Sequence, residues 1–166
     1  RPPQQTGRKS KPMSSTSAAP QGSAGRISAS QDIALLILRI ILGIVFIAHG
    51  SQKLFGAFNG PGLANWVHMM GPVGYLVAIG EFFGGLGILV GFLTRFSAAA
   101  IIVIMLGAIS MVSGRNGFFM NWSGHQPGEG YEYHLLVISI CIALILHGPG
   151  RLAIGRLLPR PNKALE

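Results

Sequence analysis

Charge is scarce in this chain and acid scarcer still: 11% of the 166 residues are charged, and only five are Asp or Glu. A single cysteine, Cys141, excludes an internal disulfide and a dithiol redox pair. Lying inside an apolar run, it reads as a small packing residue. There is no Rossmann fingerprint, no P-loop, no CxxC and no zinc-ligand spacing, so neither a nucleotide cofactor nor a bound metal is expected. Histidines are more numerous, but His68 and His125 fall in loops and His147 closes the last apolar run. Only His49 and His134 share one side, which disfavours a bis-histidine haem.

What the chain does have is apolar length. It is 49% hydrophobic with a mean hydropathy of +0.50, the composition of a small integral membrane protein. A net charge of +8 raises nucleic acid as a partner. The basic residues, however, flank apolar runs and do not gather on an amphipathic face with aromatics, so the bilayer and not nucleic acid is the expected partner. The fold class expected is all-α, a polytopic four-transmembrane-helix bundle behind a disordered N-terminal tail.

The spans are read at about 32–54, 73–93, 96–113 and 132–148, each at or near the length that crosses about 30 Å of hydrocarbon. Residues 1–31 form a polar, basic tail without apolar periodicity and are expected to be disordered. Met13 opens a stretch that reads like a protein start, so 1–12 are set aside from fold reasoning. A cleavable signal peptide is not expected, because the first run is too long for one and no cleavage site follows it. Ser30 or Asp32 is placed to cap the first helix. The second helix follows Pro72 and ends at Gly91, leaving only a tight turn before the third. Residues 156–166 form a second basic tail. Between spans one and two, Leu63–Val67 reads as a short amphipathic piece with Trp66 at the membrane interface.

Lys and Arg set the orientation. The N-terminal tail carries five, the C-terminal tail four and the second-to-third turn Arg95, whereas the other two loops hold only Arg115. Both termini are therefore expected in the cytoplasm, in a bacterial inner membrane.

An ionisable residue inside a span is costly and marks function by default. Three of the four runs carry them: Arg39, His49 and Lys53 in the first, Glu81 in the second, Glu132 and His134 at the start of the fourth. His49 and Lys53 share a helix face at i and i+4. Lys53 and Glu132 lie at matching depth for pairing, while Glu81 is placed to answer His49 or Arg39; Arg39 can alternatively snorkel to the cytoplasmic surface. Glycines at 80, 84, 85, 87 and 91, with Gly43 and Gly50, point to close helix packing and turn Glu81 inward.

Arg39, Gly43, Phe46, His49-Gly50 and Lys53-Leu54-Phe55-Gly56, then Gly60-Pro61-Gly62, then Glu81, Gly84-Gly85, Leu89, Gly91 and Thr94-Arg95 together resemble the DoxX family of small membrane proteins. Gly130-Tyr131-Glu132-Tyr133 and Gly148-Pro149-Gly150-Arg151-Leu152 extend the likeness over about residues 33–155. The resemblance implies a four-helix membrane bundle and a link to membrane redox complexes, the family name attaching to a subunit of a thiosulfate:quinone oxidoreductase. His134 and Ala153-Ile154-Gly155 depart from the common pattern.

The function expected is a subunit of a membrane redox complex with a quinone site in the outer half of the bundle. His49 and Lys53 polarise a quinone oxygen, and Glu81 or Glu132 carries the accompanying proton, since a carboxyl group in a low-dielectric site can be protonated near neutral pH. Phe46, Phe82 and Phe83 flank the ring, and His134 and Arg39 complete the cofactor contacts. With no electron-carrying motif in the chain, other membrane or redox subunits are expected partners. The alternatives are a non-enzymatic scaffold or accessory subunit whose polar residues fix helix packing, and a small proton-coupled carrier in which Glu81 titrates.

Overall fold

The computed structural model describes residues 28–156, and the expectations for the tails at 1–27 and 157–166 lie outside the described residues. Within them the chain is helical, with no strand: α1 (Ala29–Phe55), α2 (Gly62–Met70), α3 (Val73–Val90), α4 (Thr94–Met111) and α5 (Glu132–His147), joined by short turns except for the longer α4–α5 loop over 112–131. Three of these, α1, α3 and α4, are long and apolar enough to cross a membrane, and α5 is a shorter apolar helix of 16 residues. At 1.5 Å per residue α5 spans about 24 Å. The four form a helical membrane bundle, with α2 a short helix between the first two.

α1 starts three residues before the expected boundary, because its cap is neither Ser30 nor Asp32. Ser28 caps it, its side chain accepting from the Gln31 backbone while the Gln31 side chain accepts from the Ser28 N–H, a reciprocal capping box. Asp32 instead is buried and turned across the bundle. It accepts the Arg151 backbone N–H at 2.7 Å and faces Arg151 Nε at 3.8 Å, tying the start of α1 to the segment after α5.

The packing order is α1 on α3, α3 on α4 and α4 on α5, with α1 and α5 barely touching. The core runs through Leu35, Leu42, Phe46, Ile88, Ile101, Val137, Cys141 and Leu144. The lone cysteine is fully buried there, consistent with packing. Glycine sets the α1–α3 distance. A Cβ at Gly50 would lie 2.6 Å from Phe82 Cα, and one at Gly85 would lie 2.8 Å from Ile47 N, so the two backbones are in contact at both levels. Gly50→Ala is therefore expected to destabilise by about 1–3 kcal/mol through overpacking. Gly107→Ala, where nothing lies within 4 Å of the added Cβ, should be neutral or slightly stabilising. Thermal melting of the two variants in one detergent checks the contrast.

Arg39 is 2% exposed and does not snorkel to the surface. Its Nε donates to Ile88 O at 2.9 Å and Nη2 to Leu89 O at 2.9 Å, while Nη1 donates to Pro149 O at 2.8 Å and Leu152 O at 2.7 Å. Ile88 and Leu89 lie in the last turn of α3, where carbonyls run short of helical donors; Ile88 O also accepts the Gly91 N–H at 3.2 Å. One guanidinium thus caps α3 and clamps the post-α5 segment onto it. Gly91 supplies the room: its φ of +75° ends α3 in the left-handed region, and a Cβ there would collide with Ala153 Cβ at 2.6 Å and with the guanidinium.

Candidate functional site: a polar cavity at one end of the bundle

The C-terminal ends of α1 and α4 and the N-terminal ends of α3 and α5 meet at the end opposite the Arg39 clamp. They enclose a largely apolar cavity of about 660 Å³ together with α2 and residues Pro127–Glu129 of the α4–α5 loop. Lys53, in the last turn of α1, projects into it and pairs with Glu81 at 2.5 Å; the two side chains are 15% and 7% exposed. The Gly50–Phe82 backbone contact makes this possible. It brings α1 against α3 one turn before Lys53 and one residue after Glu81. Lys53 Nζ also lies 5.0 Å over the Trp66 ring, which α2 positions through Trp66 Nε1 donating to Gly74 O at 3.0 Å. The ammonium is thereby held by a carboxylate on one side and an aromatic face on another.

Around this pair stand three further polar side chains. His49, one turn before Lys53, is exposed, with its ring edge-on to Tyr133 at 6.4 Å between centroids. Tyr133 in turn meets His134 edge-on at 5.7 Å. Among the described residues, the Tyr133 hydroxyl and His134 Nδ1 are buried without a hydrogen-bond partner. Tyr133 lines the same cavity as Glu81.

The structure sorts the expected site residues into groups. Phe46, His49, Lys53, Glu81 and His134 all line the cavity. Glu132 does not: its carboxylate accepts Met120 N at 2.9 Å and Trp122 Nε1 at 3.4 Å, fixing the α4–α5 loop, and Lys53 pairs with Glu81 in its place. Neither His49 nor Arg39 is the partner of Glu81. Arg39 sits at the far end with its donors on carbonyls. Phe82 stacks edge-on against Phe55 at 5.4 Å and Phe83 at 5.2 Å, outside the cavity lining. Trp66 was visible in the sequence only as an interfacial residue, and Tyr133 only as part of the Gly130–Tyr133 string; nothing in their spacing announced a place beside Lys53 and Glu81. No group of three His, Cys, Asp or Glu side chains arranged for a metal ion occurs among the described residues.

Residues 34–114, which contain Arg39, His49, Lys53 and Glu81, match the DoxX family model. The chain belongs to the DoxX family. It is 30% identical over 121 residues, 69% of this chain and 81% of the relative, to a Bacillus subtilis (strain 168) protein named "Putative oxidoreductase CatD". It is likewise 30% identical over 131 residues, 77% of this chain and 94% of the relative, to "Inner membrane protein YqjF" of Escherichia coli (strain K12). No solved structure matches the chain. The DoxX match runs from the second turn of α1 through the end of α4, so it spans both the Arg39 clamp contacts on α3 and the Lys53–Glu81 pair.

Proposed function

We propose that this DoxX protein is a membrane subunit of a redox complex and that its cavity receives a quinone head group. One observation carries the reading. A buried ion pair and two buried polar atoms lacking partners, the Tyr133 hydroxyl and His134 Nδ1, converge on a single apolar cavity. Its volume of about 660 Å³ suits a small-molecule site, typically about 300–1,000 Å³ with a few convergent polar groups. A bound quinone supplies an acceptor of two electrons and two protons dissolved in the membrane. Lys53 is the donor to a ligand carbonyl, held by Glu81 and the Trp66 ring. The Tyr133 hydroxyl is a second donor, and Glu81 is the group that holds and passes a proton, with His49 on the exposed side as its relay to water. Electrons come from another subunit, as the chain carries no electron-carrying motif.

The names of the relatives lean the same way, one towards an oxidoreductase and the other towards the inner membrane. The excess of Lys and Arg at the Arg39 end and in both tails supports a cytoplasmic location for the termini, which makes the cavity end outward-facing. Membrane-impermeant maleimide should then label a cysteine placed at exposed Gly124 in intact cells, and label one placed at exposed Leu93 only after lysis.

Extraction of the detergent-purified protein, with quinone assayed by mass spectrometry, tests the central claim. Wild type should yield quinone near one per chain, and His49→Ala and Tyr133→Phe distinctly less. A well-folded wild type without quinone, which also fails to take up added quinone, sinks the proposal. A second reading, a scaffold subunit, is favoured by one feature: Lys53 and Glu81 satisfy each other and so also serve as a helix-to-helix tie. It predicts that Tyr133→Phe changes nothing.

A further inference from the structure

The two walls of the cavity formed by α3 and α4 are unlike the rest. At mid-length these helices are closely packed: a Cβ on Gly80 would lie 2.8 Å from Ile104 Cδ1 and one on Gly84 would lie 3.4 Å from Ile101 Cγ1. Toward the cavity end they part. Leu76 and Val103 both line the cavity, yet are 72% and 69% exposed, and Met111 is 51% exposed. Gly107, on the same face of α4 one turn beyond Val103, has nothing within 4 Å of where a Cβ would stand. All these side chains are apolar. The polar groups Lys53, Glu81 and Tyr133 sit on the opposite, inner wall.

A cavity with polar groups on its inner wall and an apolar mouth between two membrane-spanning helices opens sideways into lipid. We infer that the cleft between α3 and α4 is the entry path and tail channel for a ligand that carries a polar ring on a long hydrocarbon chain. The head lies toward Lys53 and Glu81, and the tail leaves over Gly107 between Leu76 and Val103. The inference deepens the quinone reading and rests on it: it names a tailed, membrane-dissolved substrate that enters laterally. The Ile104–Gly80 contact closes the cleft on its inner side, so the tail runs outward into the bilayer. Gly107 gains a function from this placement, since glycine in mid-helix is otherwise a cost.

The full chain in lipid nanodiscs is mixed with two probes, a benzoquinone head without a tail and the same head with a decyl tail bearing a terminal diazirine. Binding of each is titrated, and the photolabelled peptides are mapped. The expected result is tail labelling within 73–77 and 103–111. Gly107→Phe should weaken decyl-probe binding at least tenfold and tail-less binding less than twofold. Val103→Trp, an exposed position that cannot disturb the core, serves as the second plug and should act in the same direction. Labelling confined to α1 or α5, or decyl affinity unchanged in both plugged variants, overturns lateral entry while leaving a head-group site in place. Loss of both probes to the same extent in both variants overturns it too, because the tail then has no path of its own. If neither probe binds wild type, the quinone reading itself has failed and the channel with it.

Discussion

Arg39→Ala is expected to cost the protein its folded state. The guanidinium makes four hydrogen bonds to main-chain carbonyls, at 2.7–2.9 Å, from a site that is 2% exposed. Hydrogen bonds involving a charged group contribute about 1.5–3 kcal/mol each, and a carbonyl left buried without a partner costs about 1–3 kcal/mol. Two of the four acceptors belong to the final turn of α3, where the helix dipole places partial negative charge, so the positive group is favourably sited as well as bonded. The other two hold the segment after α5, which Asp32 grips from the start of α1. Removing the guanidinium thus takes the side-chain donors from Ile88 O and Leu89 O, leaving the α3 end to the Gly91 and Phe92 N–H groups, and detaches the far end of the bundle. A loss above about 5 kcal/mol is comparable to the whole stability of a typical small domain. Arg39→Lys should rescue little, since an ammonium cannot offer a planar fork to carbonyls on two segments. Size-exclusion profiles and melting of a fluorescent-protein fusion decide it: aggregation or absence for Ala, and a Tm well below wild type for Lys. A wild-type melting curve for Arg39→Ala would show that the clamp contributes nothing.

The spans were legible because hydrophobic runs in a membrane protein are bounded by chemistry written in the same residues. Pro72 starts α3 and Gly91 ends it, and Gly148 ends α5, all within a few residues of the expectation. The inward orientation of Glu81 was legible for a similar reason, since the glycines around it mark the packed face of α3. Pairing was not. Depth arithmetic fits Lys53 to Glu132 as well as to Glu81, and only the close crossing of α1 and α3 at Gly50 and Phe82 selects the second. Glu132 is drawn off by loop N–H groups whose positions depend on the fold of residues 112–131, a segment without periodicity to read. Arg39 shows the same limit. An arginine two turns inside a span reads equally as a ligand contact or a snorkelling side chain, and its actual acceptors are backbone atoms that have no residue-type signature.

Breaking the Lys53–Glu81 pair from either side should be costly, and the two sides should differ. In a partly desolvated pair, loss of one partner typically costs about 3–5 kcal/mol because the other charge stays buried alone. Lys53 keeps other company: the Trp66 ring at 5.0 Å, the His49 carbonyl at 3.4 Å and the cavity itself. Among the described residues, Glu81 accepts a side-chain hydrogen bond from Lys53 alone. Lys53→Met should therefore destabilise more than Glu81→Gln, although lysine is the more exposed of the two. The double variant Lys53→Met with Glu81→Leu should recover most of the loss, as replacing a buried pair by apolar groups is often neutral or favourable by about 1–4 kcal/mol. Melting of the two singles and the double in one detergent closes a double-mutant cycle, and a coupling near zero would remove the pair from any account of the fold. The double variant also separates the two readings of the site, because it restores packing without restoring chemistry. A folded double variant that no longer takes up quinone places Lys53 and Glu81 in ligand binding. One that folds and retains wild-type quinone moves the head-group contacts to His49, Tyr133 and His134.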